Sequence, residues 1–337
     1  MWMDDLLRTS VRQSLSELGI SDFRLLIGVS GGADSVSLLR AMLELAEELK
    51  LTLAVAHFDH AMRPDSAENA AWVQQLATLF GLPCYLGVRS GPISAAVSEE
   101  TARQLRYRFL LKTAQEHQFP FIAVAHTADD QVETVLHHLL RGTGLKGLSG
   151  IPLSRKLSDD QTLIRPLLQT SRKDVLQALE SWQQPYLTDS TNTDERLTRN
   201  RIRLDLIPQL KEKFNPQVSD ALIRLAKQAA ETQELIEHLA SDLLSQATLE
   251  QGPTAVVLNR KVLKESRPPV LREAFRQVWE RAGWPRQNLS AARLETLCQM
   301  VRTGSPRRCS LPGNVLVTCR KLVLEFHRQV GFPEHSG

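Results

Sequence analysis

The chain has no run of roughly 18 or more apolar residues, so nothing in it is built to cross a bilayer as a helix. Its first residues, Met1-Trp2-Met3-Asp4-Asp5, are acidic and carry neither the basic nor the apolar region of a secretory leader. A cytoplasmic protein with no membrane partner is therefore expected. Cysteine is scarce: Cys84, Cys298, Cys309 and Cys319 are scattered, with no Cys-x-x-Cys pair. That spacing argues against zinc ribbons and iron–sulfur clusters and for reduced structural thiols. No internal repeat and no low-complexity segment is present.

What is there is enough apolar material, 42% of 337 residues, to build two packed domains. The net charge is only +3, but it is unevenly spread. Residues 1–200 hold 20 Lys and Arg against 24 Asp and Glu, a net of −4, whereas residues 201–337 hold 21 against 14, a net of +7. A basic back half beside an acidic front half suits a polyanionic substrate that docks on one part and reacts on the other. An unevenly charged solvated surface is the plain alternative.

Along the first half, apolar runs alternate with helical periodicities. Leu6, Leu7, Val11, Leu15 and Leu18 mark a helix over 4–18 that stops at Gly19. Strands are expected at 25–29, 52–58, 84–88 and 121–125, with helices over 35–49, 67–80, 98–117 and 129–141 between them. This order predicts βαβ units, a Rossmann-like parallel sheet covered on both faces, and ligands at the carboxyl ends of the strands. Residues 154–162 are polar and read as exposed, Arg165-Pro166 closes a short extended stretch, and Ser171 with Asp174 caps a helix over 172–183. From 217 the pattern is helical through Leu249 and again over 268–301, and 307–311, 315–319 and 322–326 read as a small antiparallel meander. The domain boundary is placed near Asn215-Pro216, giving domains of 1–215 and 216–337.

The most informative segment is Ser30-Gly31-Gly32-Ala33-Asp34-Ser35, set between a buried strand and a helix start. Two glycines let the backbone approach a bulky anion, and the free N–H groups of a first helical turn point at it. The hydroxyls of Ser30 and Ser35 add donors, and Asp34 is suited to holding Mg²⁺ at the phosphates. No lysine follows the glycines, and the spaced-glycine dinucleotide fingerprint is absent. The segment resembles the pyrophosphate-binding loop of the N-type ATP pyrophosphatases, which split ATP between its α and β phosphates and activate an acceptor as its adenylate.

Other groups of residues lie at neighbouring strand ends. His57-Phe58-Asp59-His60 invites a metal reading, but in an extended segment His57 and Asp59 share a face while His60 points away, and no distant cluster completes a shell. The alternative is that His57 and Asp59 cup the adenine and ribose while Arg63 neutralises phosphate. Arg103 and Arg106 share a helix face, and Arg106 is placed to clamp a carboxylate or phosphate, with a solvated charged face as the alternative. In Thr127-Ala128-Asp129-Asp130-Gln131-Val132-Glu133, Thr127 caps a helix, and Asp130 and Glu133 project from one face of its first turn. Such a pair suits Mg²⁺, an ammonium group or a basic nucleophile, although acids in a first turn also have a dipole rationale. Arg141 follows that helix, and Arg199, Arg201 and Arg203 alternate near the boundary, as an RNA contact or a plain basic helix start.

Taken in order and spacing, Ser30–Ser35, His57–Arg63, Arg103–Leu110, Ala125–Gly144, Arg165–Leu168 and Asp189–Ile202 resemble the tRNA(Ile)-lysidine synthetase family over about residues 24–210. The basic helical half matches by pattern and not by motif. The compact form of the family, without a further C-terminal domain, is expected. The resemblance implies a carbon–nitrogen ligase that uses ATP and Mg²⁺. In that reaction the C2 oxygen of the wobble cytidine of a CAU-anticodon isoleucine tRNA is adenylated, and free L-lysine then displaces AMP to form lysidine. It further implies lysine recognition by Asp130 and Glu133, help with adenylate charge by Arg106 and Arg199, and tRNA contacts by Arg63, Arg141, Arg201 and Arg203. A homodimer is one assembly it allows. The rivals are a tRNA thiolase with the same loop, an amidotransferase-type ligase, and a non-catalytic nucleotide- or RNA-binding protein. Scattered cysteines and the lack of a glutaminase segment weigh against the first two, and retention of Asp34, Asp130 and Glu133 together against the third.

Overall fold

A computed structural model describes residues 4–61, 66–89, 99–188, 198–285 and 289–329. These divide into two compact units, 1–228 and 229–337.

The first unit opens with helix α1 (Asp4–Glu17), strand β1 (Arg24–Gly28), α2 (Ala33–Ala46), β2 (Thr52–Asp59), α3 (Ser66–Leu79) and β3 (Cys84–Val88). It continues with α4 (Glu99–Glu116), β4 (Phe121–Ala123), α5 (Ala128–Leu140) and the short α6 (Leu145–Leu148). Strands β5 (Ser154–Lys156) and β6 (Thr162–Ile164) and helix α7 (Arg172–Ser181) follow. After α8 (Thr198–Arg201) comes a π-helical turn, Ile202–Leu206, and then α9 (Ile207–Lys213). The six strands order as β3-β2-β1-β4-β6-β5, every pairing parallel except β5 with β6.

The period-2 geometry of a strand sends alternate residues to opposite layers. Leu25 and Ile27 of β1, with Leu53 and Val55 of β2, enter the core built with α1, α2, α3 and α7. Leu26, Ala54 and Ala56 enter the opposite core, with Leu110 and Ala114 of α4. The sheet is therefore covered on both faces, as the alternating pattern predicts. In α1, Leu7, Val11 and Leu15 are buried while Leu6 is 61% exposed, so the apolar stripe is one residue narrower than the sequence suggests. The polar stretch at 154–162 is a further difference. It is a hairpin, in which β5 closes the sheet edge by pairing Ser154–Lys156 antiparallel with Thr162–Ile164. An edge strand with a solvated face needs no apolar run, which hides it from hydrophobicity.

Strand order reverses around β1, whose neighbours lead left through β2 and right through β4. At such a switch point the loops leaving the carboxyl ends diverge and open a crevice. The segments after β1 and β4, carrying Ser30–Ser35 and His126–Glu133, flank it.

Helix α10 (Val218–Ala247) contains the division between the units, and Asn215-Pro216 lies in the turn before it. The second unit adds β7 (Thr248–Gln251), β8 (Ala255–Asn259), α11 (Arg260–Lys264), α12 (Pro268–Arg281), α13 (Ala291–Thr303), β9 (Arg308–Leu311), β10 (Val315–Cys319) and β11 (Val323–Arg328). The expected three-stranded meander is present, but β7 and β8 extend it into a five-stranded antiparallel sheet, β7-β8-β11-β10-β9. The helical periodicity of 268–301 is broken at Gly283, whose φ of +65° ends one helix before the next begins. Trp279 is fully buried, with the Trp284 and Phe326 rings edge-on at 5.1 and 5.8 Å, and these large rings centre the unit's core.

Candidate active site

Val29 leaves β1 with its N–H donating to the Ala56 carbonyl at 2.9 Å, and the chain then turns sharply into α2. Gly31 sits at φ +93°, where an L side chain is strained, and a Cβ there would lie 2.7 Å from Leu187 Cδ1. Leu187 also donates its N–H to the Gly31 carbonyl at 2.9 Å, so the turn is braced from above. Inside it, Ser35 Oγ donates to the Gly32 carbonyl at 2.9 Å and accepts the Ser30 N–H at 3.1 Å. The amides of Ala33, Asp34 and Ser35, the first three of α2, have no acceptor among the described residues, the ordinary condition of a helix start. They form a ready anion seat reinforced by the helix dipole.

Asp34 stands in the first turn of α2. Its Oδ2 accepts from Arg172 Nη1 at 2.6 Å, while Oδ1 is buried with no partner among the described residues. Burial holds this carboxyl above its ordinary range; Asp130 adds to the rise, and Arg172 and Arg203 oppose it. Arg172, not singled out in the sequence, is the first residue of α7, and its N–H donates to Asp129 Oδ2 at 2.7 Å, tying the starts of α5 and α7 together. One free carboxylate oxygen beside an anion seat suits Mg²⁺, which favours one or two carboxylates plus substrate phosphates.

His57 and Asp59 are engaged within the fold. Burial lowers the His57 pKa, so the ring is neutral and its Nδ1–H donates to the Val29 carbonyl at 2.8 Å, fixing the start of the turn. Asp59 accepts the Ala61 N–H at 2.7 Å and the Ser66 hydroxyl at 3.1 Å, and so ties the end of β2 to the start of α3. Both therefore shape the strand end that borders the anion seat. Arg63 lies outside the described residues. Among the described residues, no group of three His, Cys, Asp or Glu is placed to hold a metal ion.

On the other side of the crevice, Thr127 caps α5 in a reciprocal box with Asp130, the Thr127 N–H donating to Asp130 Oδ2 at 2.8 Å. That leaves Asp130 Oδ1 and the Glu133 carboxylate facing the same way. Arg199 bridges them, with Nη2 2.7 Å from Asp130 Oδ1 and Nε 2.7 Å from Glu133 Oε2. Glu133 is 5% exposed, and burial raises its pKa against the Arg199 hydrogen bond. Arg203 Nε approaches Glu133 Oε1 at 3.8 Å. The arginines reach the acids because Ile202, buried against Val132 and Leu136, pins the π-helical turn to α5.

The sequence-derived residues thus gather around the crevice to different degrees. Ser30–Ser35, Asp34, Asp130, Glu133 and Arg199 line it, and Asp130 acts electrostatically on both Asp34 and Arg106. Arg106 is half-buried, its Nε has no acceptor, and burial lowers its pKa. Arg141 is exposed at the far end of α5, roughly 16 Å along the axis from Asp130 at 1.5 Å per residue. Arg201 is exposed and Arg203 turns toward Glu133, so of the arginines in this segment only Arg201 faces solvent outright.

A nucleotide-type anion seat at a switch point, with an acid after the glycines and a second acid pair across the crevice, defines a PP-loop ATP pyrophosphatase domain. The family model described as a PP-loop domain matches residues 4–210. A tRNA(Ile)-lysidine synthase of Nostoc sp. is 38% identical over 266 residues, covering 76% of this chain and 77% of that protein. Its counterpart in Rhodopirellula baltica is 32% identical over 325 residues, covering 85% and 81%. The chain belongs to the tRNA(Ile)-lysidine synthase family. Among solved structures, a U34-tRNA thiolase of Methanococcus maripaludis shares the fold at a TM-score of 0.58 and 17% identity, covering 68% of this chain and 80% of that one.

Proposed function

We propose that this carbon–nitrogen ligase joins free lysine to C2 of the wobble cytidine in a CAU-anticodon isoleucine tRNA, in two steps within one crevice. First the C2 oxygen of the cytidine attacks the α-phosphorus of ATP. The bond to the β-phosphate breaks and pyrophosphate leaves with its charge held by the amides of Ala33, Asp34 and Ser35. Then the lysine ε-amine attacks C2, AMP leaves with the oxygen, and the proton lost by nitrogen passes to a carboxylate. Mg²⁺ on Asp34, when bound, would neutralise phosphate charge during the transfer. Arg106 and Arg199 offset the charge of the adenylate.

The observation that carries this reading is the acid pair. Asp130 and Glu133 hold a guanidinium with two 2.7 Å bonds, which makes them a seat for a cationic nitrogen. A simple nucleotide binder has no use for such a seat, and the lysine ε-ammonium fits it once Arg199 swings aside. A thiolase reading lacks a thiol: Cys84 is the one cysteine in residues 1–228, and burial raises its pKa, which keeps it protonated. The catalytic domain is assigned to 1–215 and tRNA docking to the basic residues 216–337, in the cytoplasm.

With ATP, Mg²⁺ and labelled lysine, the protein is expected to label an isoleucine tRNA with a CAU anticodon and to leave a methionine tRNA unlabelled. Sulfur incorporation, or no lysine transfer to the isoleucine tRNA, would refute the assignment.

A pH dependence also follows. Because burial holds the Glu133 carboxyl above its ordinary range, it takes up a proton at a higher pH than an exposed glutamate, and the neutral form loses its hold on an ammonium. The KM for lysine is therefore expected to rise as pH falls, and to begin rising at a higher pH than the titration of an exposed glutamate would allow. A KM, at saturating ATP and tRNA, that stays flat until the pH reaches the range of an exposed glutamate would remove Glu133 from lysine binding.

A further inference from the structure

We propose that the arginine cluster around Tyr107 seats a backbone phosphodiester of the substrate RNA beside the nucleotide that enters the crevice, a site distinct from the ATP phosphate loop. The inference rests on the assignment of a tRNA as substrate. Guanidinium carbons of Arg103 and Arg106 from α4 and Arg155 from β5 lie 5.3, 5.7 and 5.6 Å from the centre of the Tyr107 ring. Arg165, which follows β6, is 2% exposed and gives Nη1 to the Pro152 carbonyl at 2.7 Å, leaving its Nε without an acceptor. Arg106 Nε and His126 Nδ1 are likewise buried and have no partner among the described residues, while the Tyr107 hydroxyl stands between Arg106 and Arg165 and interacts with both.

Among the described residues, no carboxylate forms an ion pair with any of these four arginines. Buried charges are ordinarily paired, and three guanidiniums around one ring with a fourth, Arg165, beside its hydroxyl repel each other. Burial pushes Arg165 below its ordinary range; Tyr107 opposes the shift, while Arg155 and Arg103 add to it. Burial, and then Arg165, Arg103, Arg106 and Arg199, drives His126 well down, so that histidine is neutral and adds no charge. Asp130 and the adenylate answer Arg106 at the crevice end, and the charge of Arg103, Arg155 and Arg165 is left for an anion from outside the chain.

Position and number select its chemistry. The cluster grades from buried Arg165 to exposed Arg155 on the edge strand, so it opens to the surface and suits a chain that passes through. Four guanidiniums greatly exceed what a single amino-acid carboxylate needs, whereas arginine forks match phosphate oxygens, and phosphate contacts set the register of a bound nucleic acid.

The test uses the double variant Arg103→Ala with Arg155→Ala, and separately Arg155→Glu at the exposed end of the cluster. Binding of the CAU-anticodon isoleucine tRNA is measured across salt concentrations, with KM values for lysine and ATP. Affinity is expected to fall about tenfold in each and the log–log salt slope of the double variant to flatten by about 1 to 2, with both KM values unchanged. Wild-type affinity and slope in both variants would overturn the proposal. So would a raised lysine KM with tRNA affinity intact, which marks a carboxylate seat. Failure of the unaltered protein to bind that tRNA would instead overturn the functional assignment beneath it.

Discussion

Asp34→Asn is expected to slow formation of the adenylated tRNA by about 10³-fold or more, roughly 4 kcal/mol of transition-state stabilisation, while tRNA affinity stays within about twofold. The asparagine keeps the shape of the side chain but not its charge, and both of the carboxylate's tasks depend on charge. Oδ1 is buried with no partner among the described residues and borders the phosphate seat, and Oδ2 holds Arg172 at 2.6 Å. Losing the first removes the oxygen proposed to hold Mg²⁺. Losing the second frees a guanidinium that belongs near the phosphates. Pyrophosphate release in a single turnover measures the step, and a melting temperature within a few degrees of wild type shows that the fold survives. If adenylation persisted while tRNA binding disappeared, the turn after β1 would be an RNA contact and not the reacting-nucleotide site.

Glu133→Gln is expected to separate the two steps. Adenylated tRNA forms at near the wild-type rate and accumulates, while transfer of lysine falls by about 10²- to 10³-fold. Glutamine neither pairs with an ammonium nor accepts a proton, and it sits where the carboxylate is 5% exposed and bonded to Arg199 at 2.7 Å. Breaking a buried ion pair by removing one charge costs about 3–5 kcal/mol, so some loss of stability accompanies the change. The readout that distinguishes chemistry from folding is the trapped adenylate, which an unfolded enzyme cannot make. Equal loss of both steps would reassign Glu133 to holding α5 and the π-helical turn together.

What could be read beforehand divides along the range of the interactions. The turn at Ser30 was legible because its causes are local: an apolar strand, glycines that allow φ of +93° at Gly31, and an acid in the following first turn. The Thr127 cap and the shared face of Asp130 and Glu133 are local too, set by helical spacing. The alternation of strands and helices was enough for the two-faced sheet. Arg172 escaped notice because its partner, Asp34, is 138 residues away and nothing nearby marks it as more than a helix start. Arg199 was expected at an adenylate or RNA, and its hold on the acid pair 66 and 69 residues earlier belongs to the fold. His57 and Asp59 share a strand face as expected, yet their hydrogen bonds go to the backbone and hydroxyl groups that shape the strand end. In the second unit, β7 and β8 were hidden because Thr248 to Gln251 continues a helical periodicity, and only pairing with β11 makes the hairpin part of a sheet.

In the function proposed, the first turn of α2 takes the β and γ phosphates of ATP as they leave, so that AMP passes to a nucleobase. The most direct test mixes the protein with α- and γ-labelled ATP and the CAU-anticodon isoleucine tRNA, omitting lysine, and identifies every labelled product. The predicted result is about one equivalent of pyrophosphate per enzyme and α-label on the tRNA, both lost on replacing that tRNA with methionine tRNA. Release of ADP and inorganic phosphate, with no label on the RNA, would contradict it.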